Sequence, residues 1–406
     1  MVTGRCRYRT WRRVNGRRVR TGLLVVVLAL TGCGGDNDAD TQRKQGSATS
    51  SGEPSPAAMN VLPGMPPPLS ATDVYAADRE FSPAVAGHLP RVYVPNSKSD
   101  TVSVIDPATF QVVETYPSQG REPQHVVPAY DLQTLYATND LPIGSGSLLP
   151  IDPRTGKAGD PLPVRDPYNL YFTPDGRYGI VVAEADKSLD FYDPHTWQKV
   201  DSTPVPDCPG VDHMDFTADG RFALASCEFG GRMAVIDIAS HKLLETVQLH
   251  GGPSGMPQDV KLSPDGSTFF VADMHAGGIY TIDAKSFAET GFIPTGKGTH
   301  GLYVTRDSQQ MIITNRGEGS LSVWDFADRK LVRTWFIPGG GSPDMGNISG
   351  DGRVFWVSGR YNNEVYAIDI VEWKLLARIP VGAGPHGLTV WPQPGRYSTG
   401  HTGVMR

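Results

Sequence analysis

Seven short loops along the chain end in residues whose side chains bind metals or carry protons. Each loop precedes an apolar, strand-like segment, and the loops read PQH, PYN, VDH, PQD, GTH, SPD and GPH. Their last residues are His125, Asn169, His213, Asp259, His300, Asp344 and His386. Four imidazoles, two carboxylates and an amide form a ligand set that suits zinc, copper or iron. If the loops occupy one register of a repeated fold, all seven side chains converge.

The elements that position these residues repeat along the chain. Seven strand-like segments end in aspartate at intervals of 41 to 46 residues, at Asp106, Asp152, Asp193, Asp237, Asp283, Asp325 and Asp369. Between them, the turn sequences TPDG, TADG, SPDG and SGDG are flanked by alternating apolar residues, which is typical of hairpins. Four short strands in each repeat predict one propeller blade, so the seven repeats predict an all-β, seven-bladed propeller.

The two ends of the repeat region are incomplete in complementary ways. The first segment, 91–117, supplies three outer strands and lacks an inner one, whereas HGLTVWP at 386–392 supplies an inner strand alone. Together they predict one blade shared by both ends, which removes the free sheet edges. We therefore place the propeller at 89–392 and a C-terminal tail at 393–406.

The N-terminal region is typical of an exported lipoprotein. Residues 1–32 contain eight arginines, no acidic residue and a short apolar run that ends in LTG before Cys33. This pattern predicts a signal peptide, because the run is too short to cross a bilayer. The sequence LTGC resembles a lipobox, in which Cys33 is acylated; the alternative is an ordinary signal peptide. Residues 33–88, rich in Asp, Ser, Gly and Pro, predict a disordered tether.

We therefore expect an extracytoplasmic protein, anchored by lipid on the periplasmic face of a membrane or on the cell surface. The chain has 37 basic and 43 acidic residues, and removal of the leader leaves 29 basic residues and a net charge of −14. Binding to phosphate backbones needs a basic surface, so the sequence predicts no nucleic-acid partner. The expected partners are the membrane, through the lipid, and a small molecule or protein at the channel mouth.

The repeat sequences also resemble a known family. RVYVPN, LYATN, IITN, SPDG and GPHGLTV resemble the YVTN repeat of exported, YncE-like bacterial propellers, from Arg91 to Pro392. The resemblance implies the architecture and leaves the reaction open. A more distant resemblance is to propellers that hold a copper cluster, as in nitrous oxide reductase, or haem, as in the dihaem cytochrome nitrite reductases.

A second set of charged residues follows the second strand of several repeats and is expected at the same mouth. These residues are Glu184, Glu228, Arg316 and Arg360. An Arg, His and Glu set in a propeller mouth is similar to that of lactone-hydrolysing or cycloisomerising propellers. The spacing identifies no nucleophile or general base, so no catalytic residue is assigned.

Two cysteines remain once Cys6 is removed with the leader and Cys33 is acylated. Cys208 precedes an inner strand, and Cys227 ends the following strand. An even pair in an exported protein predicts a disulfide, with free thiols or metal ligands as the alternatives.

Three functions are consistent with these residues. The propeller binds a ligand or protein at its channel mouth; or it is a redox or cofactor-handling protein whose His/Asp ring holds metal or haem; or it is a lactonase- or cycloisomerase-like enzyme. The ring residues also have a purely structural interpretation, in which each histidine hydrogen-bonds the backbone of a neighbouring blade. The sequence alone leaves these alternatives open, and it fixes no cofactor.

Overall fold

A computed structural model describes residues 60–141 and 146–406. They form seven antiparallel sheets arranged as the blades of a propeller, which confirms the predicted all-β, seven-bladed fold. The predicted signal peptide (1–32), the predicted acylation site Cys33 and residues 34–59 lie outside the described residues. Among the helices of the described ranges, none has the length and apolar character needed to cross a membrane.

Each blade has four strands, and its first strand lines the central channel. The blade that closes the ring contains β28 (Thr389–Trp391), β1 (Arg91–Asn96), β2 (Thr101–Asp106) and β3 (Gln111–Pro117). The second contains β4 (Pro123–Pro128), β5 (Leu135–Asn139), β6 (Ser147–Ile151) and β7 (Leu162–Pro163). The third contains β8 (Pro167–Phe172), β9 (Gly179–Ala183), β10 (Ser188–Tyr192) and β11 (Lys199–Pro204). The fourth contains β12 (Val211–Phe216), β13 (Phe222–Cys227), β14 (Arg232–Asp237) and β15 (Lys242–Gln248).

The fifth blade contains β16 (Pro257–Leu262), β17 (Thr268–Asp273), β18 (Gly278–Asp283) and β19 (Glu289–Pro294). The sixth contains β20 (Thr299–Val304), β21 (Gln310–Asn315), β22 (Ser320–Asp325) and β23 (Lys330–Phe336). The seventh contains β24 (Pro343–Ile348), β25 (Val354–Gly359), β26 (Glu364–Asp369) and β27 (Lys374–Pro380). Within the described residues, two short 3-10 helices lie outside the blades, at Pro83–Val85 and Gly252–Ser254.

The ring is closed by strands from both ends of the described chain. β28 pairs antiparallel with β1, and Arg91 lies opposite Trp391. This pairing completes the blade that the incomplete end repeats predicted, with β28 as its innermost strand.

The hydrophobic core lies between neighbouring blades. In the cluster where the seventh blade meets the closing blade, Trp356 and Val365 pack with Val92 and Leu388. The inner strands are buried along their whole length, as β12 and β24 are, although they carry polar as well as apolar side chains. The outermost strands face solvent on most positions, as in β3, where only Tyr116 is half-buried.

Residues 60–88, which we expected to belong to a disordered tether, are ordered against the blades, so that part of the prediction was wrong. Leu62 and Tyr75 are buried, and the Tyr75 hydroxyl donates to the last carbonyl of β16, 2.8 Å away. The buried Asp78 pairs with the half-buried Arg306 at 3.0 Å. The overall composition of this segment is that of a tether, but its scattered apolar side chains pack into grooves between blades and are buried there.

The residues expected to form a C-terminal tail, 393–406, enter one end of the channel as a hairpin. β29 (Ser398–Gly400) and β30 (Val404–Met405) extend the third blade inward, with Gly400 opposite Tyr171 of β8. Gly400 has φ +105°, and a Cβ there would lie 2.4 Å from the Tyr171 Cα atom, so glycine is required. Arg406 is buried and pairs with Asp215 of the fourth blade at 2.8 Å.

This C-terminal hairpin also contacts the inner strands of the closing and seventh blades. The carbonyl of Thr402 accepts hydrogen bonds from the Thr389 hydroxyl (3.0 Å) and from the Asn347 amide. The hairpin therefore reaches inner strands on several sides and covers this end of the channel.

Candidate functional site

The strand pairing separates the seven predicted ring residues into two layers. The first residue of each inner strand pairs with the last residue of the next strand, as Pro123 does with β5 and Thr299 with β21. His125 is therefore the third residue of its strand, whereas His300 is the second. The single register that we expected was wrong, and the inner strands present two successive layers of side chains.

The layer nearer the mouth, here called the upper layer, contains Gln124, Tyr168, Asp212, Gln258, His300, Asp344 and His386. The layer beneath it, here called the lower layer, contains His125, Asn169, His213, Asp259, Gly301, Met345 and Gly387. All seven predicted ring residues are buried. Because a β-bulge follows the second residue in most of these strands, consecutive residues face the channel.

The lower layer brings imidazoles and a carboxylate together around a residue of the C-terminal hairpin. His213, Asp259 and His401 each place a ligand atom within 4.8 Å of the others. The ring centroid of His125 lies 5.2 Å from that of His213 and 5.3 Å from that of His401. The side-chain amide of Asn169 contacts the Nδ1 atoms of His213 and His401 at 3.1 and 3.0 Å.

The upper layer holds a second cluster, around the carboxylate of Asp344. His300 Nδ1 lies 3.3 Å from one Asp344 oxygen, and His386 Nε2 lies 3.6 Å from the other. Arg316 donates to Asp344 at 2.7 Å, and Arg360 Nε lies 3.7 Å from the same carboxylate. The two clusters adjoin, because the ring centroids of His125 and His386 are 4.8 Å apart.

Burial sets the charge of the channel groups. Burial lowers the pKa of the imidazoles that line the channel, which are His125, His213, His300, His386 and His401. The pKa of His213 falls to about 3. Burial also raises the pKa of Asp259 to about 6 and that of Asp212 well above its ordinary value. At neutral pH the imidazoles are thus uncharged, which is the state in which histidine binds a metal ion.

The second predicted set lies at the mouth, where the second strands end. Glu184 and Glu228 follow β9 and β13, whereas Arg316 and Arg360 follow β21 and β25. Burial raises the pKa of Glu184 to about 7 and also raises that of Glu228. The mouth therefore has an acidic side on the third and fourth blades and a basic side on the sixth and seventh.

His401 and Asp212 are two of the channel residues that sequence reasoning missed. His401 belongs to no repeat, so no register argument could place it. Asp212 was visible as the middle residue of the loop VDH, and it lies in the upper layer, with His213 Nε2 3.1 Å from its carboxylate. These two atoms are not in hydrogen-bond geometry, and neither has a hydrogen-bond partner among the residues that the structure describes.

The structure also contains the disulfide between Cys208 and Cys227, whose Cα atoms are 4.8 Å apart. It links the loop before β12 to the last residue of β13, and both cysteines are buried. They belong to the hydrophobic core between the third and fourth blades.

The fold and this channel define an all-β propeller whose inner strands carry a histidine- and aspartate-rich lining. The model of the YNCE-like beta-propeller family matches residues 57–197 and 254–394, and the chain belongs to this family. No curated protein matches its sequence significantly.

Solved structures with a similar fold belong to proteins of several kinds. Hydrazine synthase from Kuenenia stuttgartiensis is 19% identical with a TM-score of 0.56, over 65% of this chain and 88% of the other. A putative 6-phosphogluconolactonase from Bacteroides uniformis is 15% identical with a TM-score of 0.59, over 74% and 98%. Dihydro-haem d1 dehydrogenase NirN in complex with DHE is 16% identical with a TM-score of 0.54, over 74% and 75%. At these identities the similarities show the fold alone.

Proposed function

We propose that this propeller binds one transition-metal ion in the lower layer, through His125, His213, Asp259 and His401. The observation that carries the proposal is a set of buried imidazole nitrogens. Both nitrogens of His125 and the Nε2 atoms of His213 and His401 have no hydrogen-bond partner within 60–141 and 146–406. Buried polar atoms of this kind are destabilising unless something satisfies them, and a coordinated ion does so.

The ligand set and its spacing favour a single ion. Imidazole nitrogens with one carboxylate suit zinc, copper, iron or nickel. The rings of His125, His213 and His401 have centroids 4.7 to 5.3 Å apart, which leaves no room for a porphyrin between them. The backbone is shaped to admit them, because a Cβ at Gly387 would lie 2.0 Å from His125 Nδ1.

Asn169 is placed to orient two of these ligands. In the structure its amide nitrogen contacts both Nδ1 atoms, and its oxygen accepts from the Leu170 N–H at 2.8 Å. Coordination at Nε2 of His213 and His401 requires both Nδ1 atoms to carry protons. If the Asn169 side-chain amide is rotated by a half-turn, its oxygen accepts hydrogen bonds from the Nδ1–H groups of both rings. The hydrogen bond from the Leu170 N–H to this oxygen is then lost.

We also propose that the chain is exported and lipid-anchored at Cys33, so that the metal is bound outside the cytoplasm. The leader of residues 1–32 and the LTGC sequence support this, as does the disulfide between Cys208 and Cys227. Structural disulfides persist mainly in oxidising compartments.

The test is elemental analysis of protein purified without chelators, followed by competition with a chelator of known affinity. We expect one metal ion per chain, strongly reduced in the double variant His213→Ala, His401→Ala. The matched control is His195→Ala, which removes an exposed histidine between β10 and β11. Metal-free wild type after exposure to zinc, copper, iron and nickel refutes the proposal, as does equal metal content in the double variant and the control.

Asn169 provides a second, sharper test. Asn169→Asp supplies an oxygen to both Nδ1–H groups without the half-turn, so it should tighten metal binding, whereas Asn169→Leu should weaken it. Changes to such supporting partners alter metal affinity by about 10- to 100-fold. Equal affinity in these two variants contradicts the proposed role of Asn169.

A further inference from the structure

The upper layer contains a second group with metal-ligand composition, and its charge decides what it can bind. His300, Asp344 and His386 place ligand atoms within 4.8 Å of one another. The same Asp344 carboxylate is contacted by two guanidinium groups, at 2.7 Å from Arg316 and 3.7 Å from Arg360. Two guanidinium groups face one carboxylate, so the cluster carries a net positive charge. A second cation is therefore repelled, and an anion is attracted.

We infer that this upper-layer cluster binds the oxyanion of a ligand, a carboxylate or a phosphate, with Arg360 as its principal contact. Arg316 is already engaged, because it donates to Asp344 and is 9% exposed. Arg360 differs, since its Nη1 atom is buried and has no hydrogen-bond partner in the described part of the chain. A guanidinium fork matches the geometry of carboxylate and phosphate oxygens.

The site is reachable from the mouth. The side chain of Arg360 is 19% exposed, and it follows β25 directly at the rim, whereas Asp344 beneath it is fully buried. On the opposite side of the mouth, burial raises the pKa of Glu228. This carboxyl group therefore opposes the approach of an anion less than a fully ionised group would.

The oxyanion site adjoins the lower layer. His386 of the upper cluster lies with its ring centroid 4.8 Å from that of His125. If the proposed metal is present, an anionic ligand held by Arg360 lies next to it. This last step rests on the proposed function, whereas the oxyanion site itself depends only on groups of the protein.

The test uses metal-free, chelator-treated full-length protein, so that its outcome is independent of the proposed metal. Sodium phosphate and sodium acetate are titrated separately in a calorimeter, with ionic strength held constant by chloride. We expect saturable binding of at least one of them, weakened about 10- to 100-fold by Arg360→Gln through loss of a charged hydrogen bond. The two titrations tell a phosphate ligand from a carboxylate ligand.

Arg353→Gln is the matched control, because Arg353 precedes the strand that Arg360 follows and its side chain is 56% exposed beside Asp369. It removes the same charge from the same blade and should bind the anion as wild type does. Arg360→Gln retains the pair between Arg316 and Asp344, so its melting temperature should stay close to that of the control. Arg360→Lys keeps the charge without the fork, and we expect an intermediate affinity.

Two results overturn the inference: no saturable binding of either anion to wild type, or equal affinities in Arg360→Gln and Arg353→Gln. These results are distinct from failure of the proposed function. A chain that binds no metal but binds an anion through Arg360 refutes the metal and retains this site. A chain that binds metal but no anion refutes the oxyanion site and retains the proposed metal site.

Discussion

Gly387→Ala tests the lower layer through one methyl group. A Cβ at Gly387 would lie 2.0 Å from Nδ1 and 2.7 Å from Cγ and Cε1 of His125, so the imidazole ring as a whole must move. To reach an ordinary contact of 3.4 Å it must retreat by about 1.4 Å. Metal–ligand distances tolerate only about 0.2 Å. His125 is therefore lost as a ligand, and we expect metal affinity to fall by more than about 100-fold, beyond the usual effect of a supporting residue.

The same change should lower the free energy of unfolding by about 1–3 kcal/mol, as overpacking of a buried site does. The control is Gly291→Ala on the outer strand β19, where the new Cβ would lie 3.2 Å from the Thr281 hydroxyl, a contact that a small shift relieves. Neither glycine has a positive φ, so backbone strain affects neither variant. Metal affinity is measured by chelator competition and stability by urea unfolding. If Gly387→Ala matches Gly291→Ala in both, our account of the lower layer is wrong.

Three further predictions concern the anchor, the disulfide and a buried carboxyl group. Cys33→Ser should release the protein from membranes in fractionation, and equal membrane retention would contradict acylation. Replacing both Cys208 and Cys227 by Ser opens a loop with a sequence separation of 19. This should lower the unfolding free energy by about 3 kcal/mol in urea titrations, and an unchanged midpoint would contradict it. Burial raises the pKa of Asp78 from 3.8 to about 6, so the folded state holds a proton that the unfolded state releases. The unfolding free energy contributed by Asp78 should therefore fall as pH rises from 3.8 to about 6, and Asp78→Asn should remove that slope. Parallel pH profiles for both proteins would falsify this.

The repeats predicted the fold because a blade is a local structure. Each hairpin turn and each strand-ending aspartate, such as Asp237 and Asp283, recurs within one unit, and four strands of a unit pair with one another. The closing blade was predictable for a related reason, because the first repeat lacks an inner strand and the last repeat supplies only an inner strand. The ordered structure of residues 60–88 was not predictable from the sequence, because it depends on grooves between blades that the composition does not reveal.

The error in register has a specific cause. The last residues of the seven loops do not share one strand position, because strand pairing aligns the residue that begins each strand. Proline marks that residue in five of the seven strands, at Pro123, Pro167, Pro257, Pro343 and Pro385. Alignment on proline would have placed Asp344 and His386 one residue earlier than His125. It would thereby have separated the two layers, whose chemistry we find to be different.

The closing blade also sets an order of assembly. Arg91 and Trp391 lie at opposite ends of the propeller sequence, so β1 must wait for β28 while the intervening blades form as local meanders. The proposed metal ligands have the same spread, from His125 to His401. Until synthesis has passed His401, the nascent chain can contain finished blades but no complete metal site. Metal uptake would then mark the closed ring, and a chain clipped before the C-terminal hairpin would carry its blades without the ion.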